Sequence, residues 1–346
     1  MSHQIHRRIV TFLRAVVVVA VAAGLPAARA QQPEPEPPSL ALPIRCTIGK
    51  DCRVQFYPDA DPGPDIRDFH CGRTTYAQHR GTDIRVPSMD DVRRGVEVLA
   101  AAPGVVAAIR DGEPDIDIDV RGRDAVVKAG KSGGNLVVLR HDNGWTSLYW
   151  HMRQGSIRVQ TGQSIAAGDV LGLVGLSGDT NFPHLHFELR YRNQHVDPFT
   201  GTQPRIAGRC GIDGKVLWSD EAAHALAWRE ITLLQAGFAD QAPDRRGVEE
   251  HAPPQVLPAQ ARVLAFWWEL TGLETGDRSE VKLLDPGNRI VAERVRVYDK
   301  RQGYVFDFIG RAARGGPWAA GTYSATLQIR RGQKLLIDER RAIEIR

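Results

Sequence analysis

The chain has 346 residues and a formal net charge of +4 at pH 7. The first thirty residues carry four arginines and no acidic residue, so 41 Lys and Arg remain against 41 Asp and Glu in the rest of the chain. The rest of the chain therefore has no net positive charge that would favour binding to nucleic acid, and we expect no nucleic acid partner. The remaining length is sufficient for two domains.

The N-terminal segment 1–30 has the layout of a secretory signal peptide. Arginines precede an apolar run over 16–23, and the tripeptide at 28–30 fits an A-x-A cleavage site. The run is too short to span a membrane, and no later run reaches that length. We therefore expect cleavage before Gln31, a periplasmic or secreted location and no stable membrane span after cleavage.

Four cysteines follow the predicted signal peptide: Cys46, Cys52, Cys71 and Cys210. An even number in an exported protein indicates two disulfides, for which three pairings are possible. We favour Cys46–Cys52, which closes a short loop, and Cys71–Cys210, which ties the start of the following β-rich region to its end. Zinc binding by the thiols is the less favoured alternative because no C-x-x-C pair is present.

The first half of the mature chain is predicted to be a β-sheet domain. A Pro-rich tether over 31–45 precedes it, and residues 46–210 contain short alternating apolar runs separated by glycine-containing turns. This pattern is typical of an antiparallel sheet built from hairpins. The segment 113–134 interrupts two of the strands and is predicted to be an inserted hairpin or loop.

The second half is predicted to contain a helical connector and linker over 211–255, with one helix across 219–238. Residues 256–346 contain six or seven strand-like runs separated by turns, which suits a β-sandwich of immunoglobulin type. In this region Trp267 and Trp268 should point to opposite faces of one strand. One of them is therefore expected in the core and the other at an edge or interface.

A candidate site begins with two histidines in the strand-like run FPHLHFELR. His184 and His186 are two residues apart, so in a strand they share one face and can meet one metal ion, or one metal and one substrate. A solvated sheet face without function is the alternative for these two residues alone. Upstream, His79 and Asp83 are four residues apart, with Gly81 allowing a tight backbone path between them.

Two imidazoles and one carboxylate form a typical zinc set that leaves a fourth position for water, which loses a proton near neutral pH when bound. His79, Asp83 and His186 can supply this set, and His184 is then placed as the base. A further pair, Tyr149 and His151, is again two residues apart in a strand-like run. We expect these two to share a face, so that His151 enters the same groove.

These residues carry a resemblance to a known family. The motifs H-x-G-x-D at 79–83, Y-x-H at 149–151 and H-L-H-F-E at 184–188 occur in this order and resemble the LytM/lysostaphin-type zinc peptidases, which cut peptidoglycan peptides. The likeness covers about residues 70–199. Where many family members have a small residue and a glycine, this chain has Trp150 and Phe182.

The resemblance implies that Zn²⁺ is the cofactor and that His79, Asp83 and His186 are its ligands. It implies that His151 and His184 activate the water and stabilise the tetrahedral intermediate. The changes at Trp150 and Phe182, together with the insertion, are expected to reshape the lip of the groove and the cleavage preference.

The predicted protein is therefore mainly β. A LytM-type antiparallel β-sheet peptidase domain with a groove is followed by a short helical connector and an immunoglobulin-like sandwich. Zinc-dependent hydrolysis of peptidoglycan crosslinks is the expected activity, with peptidoglycan peptides as substrate and other envelope proteins as partners of the sandwich. A non-catalytic activator of wall amidases is an alternative, but such proteins usually lack a ligand residue. A pure binding module is a third.

Overall fold

The computed structural model describes Met1 and residues 36–61, 63–202, 210–211 and 214–346. The predicted signal peptide and the first residues of the predicted tether lie outside this description. None of the helices in the described ranges is long and apolar enough to cross a membrane.

The described residues form mainly strands, connected by turns and a few short helices. The strands are β1 (Arg53–Phe56), β2 (Thr82–Arg85), β3 (Glu97–Leu99), β4 (Gly104–Arg110), β5 (Asn135–Arg140), β6 (Trp145–Met152), β7 (Ser164–Ile165), β8 (Val170–Leu173), β9 (His184–Tyr191), β10 (Gln194–Val196), β11 (Thr232–Ala239), β12 (Val256–Leu257), β13 (Val263–Leu273), β14 (Arg278–Leu284), β15 (Ile290–Val297), β16 (Gln302–Ala312), β17 (Gly321–Arg331) and β18 (Lys334–Ile345). The helices are α1 (Met89–Arg94), α2 (Ile118–Arg121), α3 (Arg123–Lys128), α4 (Asp220–Ala225) and α5 (Arg245–Glu250), with a 3₁₀ turn at Asp142–Gly144.

The N-terminal lobe, residues 40–226, is built on one large sheet with the strand order β1-β2-β9-β6-β5-β4-β7, with β10 paired to β9. The ladders of this sheet are antiparallel, as the alternating pattern predicts. Strands β3 and β8 form a separate antiparallel pair. The predicted mainly β architecture with an antiparallel sheet is confirmed, and β2, β9 and β6 are neighbours in its middle.

The core of this lobe recruits residues from both ends of the predicted domain. Leu40 and Ile44, predicted to lie in the tether, are fully buried in it, as is Trp218 of the predicted connector. The amide of Leu40 donates to the carbonyl of Leu217, and the amide of Ser219 donates to the carbonyl of Leu40. The tether prediction is therefore wrong from Leu40 onward, because these apolar residues complete the sheet's hydrophobic layer.

The predicted long helix over 219–238 is also wrong in its second half. Helix α4 ends at Ala225, and residues 232–239 form strand β11, which pairs with β13. The run TLLQAGFA is short, apolar and consistent with either structure in isolation, and pairing with a long neighbouring strand decides in favour of β. The connector is thus divided between the cores of the two lobes.

The 113–134 insertion contains the two short helices α2 and α3 rather than a hairpin. Asp117 caps α2 by accepting a hydrogen bond from the amide of Asp119 at 2.7 Å. Local capping of a helix end explains why the acidic residues are found here in a helical segment.

The C-terminal lobe, residues 231–345, consists of two sheets that share a hydrophobic core. A three-stranded sheet, β11-β13-β16, faces a five-stranded sheet, β12-β18-β17-β14-β15, in this fully described part of the chain. Trp268 lies in the core between the sheets, and Trp267 is buried on the opposite face of β13, next to Gly237 of β11, so the two rings point to opposite faces as predicted. The sandwich arrangement matches the sequence pattern, and its immunoglobulin type stays a prediction.

Both favoured disulfides are present, Cys46–Cys52 with a sequence separation of 6 and Cys71–Cys210 with a separation of 139. The second bond joins the segment before β2 to the segment after β10. It therefore links the connection between β1 and β2 to the segment that follows the last strand of the sheet.

The two disulfides should differ in their contribution to stability. On loop-entropy grounds, removal of Cys71–Cys210 by a double Cys→Ser change should lower the free energy of unfolding by about 5 kcal/mol, and removal of Cys46–Cys52 by about 2 kcal/mol. Urea unfolding followed by tryptophan fluorescence measures both. Equal losses in the two variants would contradict the loop-entropy explanation.

Candidate metal centre and groove

The site is organised by the antiparallel pairing of β2 with β9. In this ladder Asp83 lies directly opposite His186, and Arg85 lies directly opposite His184. Residues opposite each other in an antiparallel pair share one face of the sheet. The four side chains therefore project from one face, and the prediction that His184 and His186 share a face is confirmed.

His79 approaches this face from the loop that precedes β2. The loop can pass close to β9 because Gly81 has no side chain, and a Cβ atom at that position would lie 2.6 Å from the His186 ring and from the carbonyl oxygen of Phe187. Any other residue at Gly81 would push His79 away from its partners.

Three donor atoms converge at this point: His79 Nε2, Asp83 Oδ1 and His186 Nδ1. His79 Nε2 is 3.1 Å from Asp83 Oδ1 and 3.3 Å from His186 Nδ1, and the latter is 2.8 Å from Asp83 Oδ1. Ligand atoms about 2.1 Å from a tetrahedral zinc ion are roughly 3.4 Å apart. The separations and the N,N,O donor set therefore fit a metal ion of this type with little rearrangement.

Backbone carbonyls fix the tautomers of the surrounding histidines. A carbonyl oxygen can only accept, so each ring nitrogen that contacts one must carry the proton. His79 Nδ1 donates to the carbonyl of Tyr57 at 2.7 Å, and His184 Nδ1 donates to that of Phe182 at 3.0 Å. In the neutral rings the Nε2 atom of each therefore carries the lone pair, and both Nε2 atoms lie within 3.3 Å of Asp83 Oδ1.

His151 also lies in the site, but for a reason that strand alternation does not give. Its φ is +60°, a left-handed conformation at which the pairing of β5 with β6 shifts register. Trp150 and His151 consequently both face the site, whereas Tyr149 points into the core and its hydroxyl accepts a hydrogen bond from the amide of Ala101. The prediction that Tyr149 and His151 share a face is wrong, although His151 is at its predicted place.

The ring of His151 lies 4.7 Å from that of His184 and 6.0 Å from that of His186, measured between ring centroids. Its Nδ1 donates to the carbonyl of Ser177 at 2.7 Å, which leaves the lone pair on Nε2. Burial and the neighbouring imidazoles of His184 and His186 hold the pKa of His151 well below its usual value. His151 is therefore a neutral imidazole at physiological pH, able to accept a proton.

Charge in the metal-free cluster is concentrated on Asp83 and His186. Burial alone would raise the pKa of Asp83, but the imidazoles of His79, His184 and His186 hold it well below its usual value. Burial would lower the pKa of His186, but the carboxylates of Asp83 and Glu188 outweigh it and raise this pKa to about 9. In the absence of a metal ion, protonated His186 therefore supplies the positive charge that faces the Asp83 carboxylate.

An aromatic ring stacks on each of three histidines of the site, His79, His184 and His186. Tyr76 stacks on His79 with ring centroids 4.2 Å apart, Phe182 on His184 at 4.3 Å and Trp150 on His186 at 5.1 Å. The five polar residues of the site are only 1–6% exposed. The three rings therefore form an aromatic wall over the site, and two of them, Trp150 and Phe182, are the positions where the sequence departs from the resembled family.

Glu188 is a site residue to which sequence analysis assigns no role. It is fully buried, and its Oε2 atom lies 3.9 Å from His186 Nε2, too far for a hydrogen bond but close enough for charge attraction. Its other oxygen, Oε1, is 2.8 Å from His195 Nδ1 and also pairs with Arg190. The signal for it is its position in the strand, two residues after His186 on the same face.

Part of this chain is similar to a known family of proteins. Residues 77–198 match the model of peptidase family M23. All five predicted site residues lie within the matched span, and the resemblance of this part of the chain to a family of metallopeptidases is confirmed.

Relatives match over the same region. The cell division protein DipM of Caulobacter vibrioides is 31% identical over 132 residues, which are 38% of this chain and 18% of that protein. The DD-carboxypeptidase/endopeptidase Mpg of Neisseria meningitidis is 32% identical over 131 residues, 38% of this chain and 24% of Mpg. The peptidoglycan DD-endopeptidase ShyA of Vibrio cholerae is 29% identical over 140 residues, 40% of this chain and 26% of ShyA. The chain thus spans about a quarter or less of the length of these relatives.

The pKa of His186 makes metal binding dependent on pH. A metal ion at Nδ1 must displace the proton that the metal-free protein holds below pH about 9. We expect the release of about one proton from His186 per Zn²⁺ at pH 7, and an apparent affinity that rises about tenfold per pH unit until about pH 9. Calorimetric titration with Zn²⁺ in buffers of different ionisation enthalpy measures the release.

A pair of Glu→Gln variants provides the control. Glu188→Gln removes one carboxylate that raises the pKa of His186, so this pKa should fall. The number of protons released per Zn²⁺ should then decrease at a lower pH than in the wild type. Glu113→Gln removes a carboxylate of the same lobe that pairs with Arg121 and Lys131 instead, and it should behave as the wild type. A Zn²⁺ affinity independent of pH between 6 and 9 would contradict the assignment of the displaced proton.

Proposed function

We propose that the protein is an exported zinc metallopeptidase that hydrolyses peptide bonds of peptidoglycan in the cell envelope, with peptide crosslinks as the substrate. The observation that carries the proposal is the convergence of His79 Nε2, Asp83 Oδ1 and His186 Nδ1 at tetrahedral separations. The name of the relative ShyA, a peptidoglycan DD-endopeptidase, supports the substrate class, and the name of Mpg supports a peptidase activity. The signal-peptide pattern and the two disulfides support a periplasmic or secreted location.

The proposed division of labour follows from the contacts of each residue. His79, Asp83 and His186 hold the ion, which when bound supplies a Lewis acid and a nucleophile at neutral pH. His151 and His184 present Nε2 lone pairs, because their Nδ1 protons are held by backbone carbonyls. These two residues accept the proton released during attack on the peptide carbonyl and return a proton to the departing amine.

The substrate is proposed to enter along the aromatic wall. Tyr76 is 47% exposed while its ring covers His79, so it contacts both solvent and the metal cluster. Rotation of the Tyr76 side chain would open a path to the cluster without a change in the sheet. The rings of Trp150 and Phe182 would then exclude water from the scissile bond on the remaining sides.

Incubation of the mature protein with purified crosslinked muropeptides, followed by mass spectrometry, tests the activity. Cleavage of the crosslink, lost on chelation and restored by Zn²⁺, is the expected result. A wild type that holds zinc, cleaves nothing and stimulates a wall amidase would replace the proposal with the activator function.

Alanine variants test the separate roles. Asp83→Ala and His186→Ala should lose both zinc and activity, because each removes one of three protein ligands. His184→Ala and His151→Ala should keep zinc and lose a factor of about 10²–10⁴ in turnover. Zinc per chain, measured by atomic emission beside muropeptide hydrolysis, distinguishes the two classes.

His141→Ala is the matched control for these variants. His141 is a buried histidine of the same lobe whose two ring nitrogens contact the carbonyl of Pro103 and the hydroxyl of Ser147. Its loss should lower stability but leave the zinc content and the turnover of folded protein unchanged. Loss of zinc from His184→Ala would instead make His184 a ligand and overturn the assigned roles.

A further inference from the structure

A buried arginine connects the candidate site to the C-terminal lobe. Arg85 follows Asp83 by two residues on β2, lies opposite His184 and is only 2% exposed. Its Nη2 atom is 2.7 Å from Glu269 Oε2, and Glu269 belongs to β13 of the other lobe and is fully buried. A buried charge requires a partner, so these two side chains depend on each other across the boundary between the lobes.

Glu269 has further contacts that fix its carboxylate. Its Oε1 atom accepts a hydrogen bond from the hydroxyl of Tyr304 on β16. Arg85 in turn donates from Nη1 to the side chain of Gln55 at 3.2 Å, and its Nη2 lies 3.5 Å from Glu249 on α5. The guanidinium is therefore held by groups from β1, from α5 and from the C-terminal sandwich.

This arrangement reaches His184 through Phe182. The Cζ atom of Arg85 lies over the Phe182 ring at 5.7 Å from its centroid, and that ring stacks on His184 at 4.3 Å with an interplanar angle of 21°. Arg85, Phe182 and His184 thus form one stack whose outer member is anchored by Glu269. Displacement of the guanidinium removes the contact that fixes the ring behind His184.

A second contact from the same side restrains the loop before His184. Arg245 of α5 donates from Nη1 to the carbonyl of Asn181 at 3.0 Å and pairs with Glu249 at 2.9 Å. Glu249 also faces Arg85, so the loop and the stack share one charged network. None of these residues is a predicted metal ligand, and the network contacts the segment that directly precedes His184.

We propose that Glu269 is a positioning residue for the peptidase reaction: through Arg85 and Phe182 it orients His184, so that the C-terminal sandwich forms part of the active-site wall. The proposal rests on the proposed peptidase function. It assigns to the C-terminal lobe a role in turnover rather than in metal binding.

Glu269→Gln in the full mature chain tests this role. The variant keeps the shape of the side chain and removes the charge that holds Arg85. We expect turnover to fall by about 10²-fold, the loss associated with a misplacement of about 1 Å in a catalytic group, while KM and zinc content stay unchanged. Because the two charges act as one unit, Arg85→Gln/Glu269→Gln should be no slower than Glu269→Gln alone.

Asp277→Asn is the matched control. Asp277 is a fully buried carboxylate of the same sandwich, and it pairs with Arg331 through two contacts of 2.9 Å within that lobe. Its substitution should lower the thermal stability at least as much as Glu269→Gln but leave turnover per folded molecule unchanged. Equal turnover in the two variants, or a loss of zinc from Glu269→Gln, would overturn the positioning role.

A spectroscopic readout in the metal-free protein separates this inference from the proposed function. The ring current of Phe182, which stacks on His184, should shift the NMR signals of the His184 ring protons upfield. Phe182→Leu lacks this ring and gives the reference positions of these signals. Glu269→Gln should move the His184 signals toward those of Phe182→Leu, whereas Asp277→Asn should leave them in place. Unchanged signals in Glu269→Gln would refute the positioning role, whether or not the wild type cleaves muropeptides.

Discussion

The register between β2 and β9 is the constraint on which the rest of the site depends. Asp83 pairs with His186 in this ladder, and two residues further along, on the same face, Arg85 pairs with His184. A shift by a single residue would turn Asp83 to the opposite face and dissolve both pairs together. Two other features depend on this register. The loop at Gly81 brings His79 close to His186, and the buried contacts of Arg85 with Glu269 and Glu249 hold the guanidinium behind His184.

A buried ion pair across the lobe boundary makes the two lobes energetically dependent. Removing one partner of such a pair typically costs about 3–5 kcal/mol, because an uncompensated charge is left in a dry environment. Arg85 and Glu269 are 2% and 0% exposed, so bulk water cannot solvate either charge if its partner is removed. The N-terminal lobe, which contains the candidate metal centre, should therefore be less stable without the sandwich, although the sandwich supplies none of the candidate metal ligands.

Sequence analysis predicted the features that depend on residues close together in the chain. The strands of both lobes follow from alternation, and His79, Asp83 and His186 follow from motif spacing. Strand β11 was missed because an apolar run of eight residues has no preference of its own until β13 pairs with it. Glu269 was missed because its partner Arg85 is 184 residues away in sequence, and only the folded chain brings the two charges together.

The pairing of Leu40 with the segment around Trp218 has a consequence for the order in which the chain folds. Tyr57 likewise donates to the carbonyl of Leu226, 169 residues further along the chain. The hydrophobic layer beneath the large sheet therefore stays open on the ribosome until nearly two thirds of the sequence has been synthesised. Contacts of this separation close slowly, and the apolar surface that they bury is accessible to chaperones until they form.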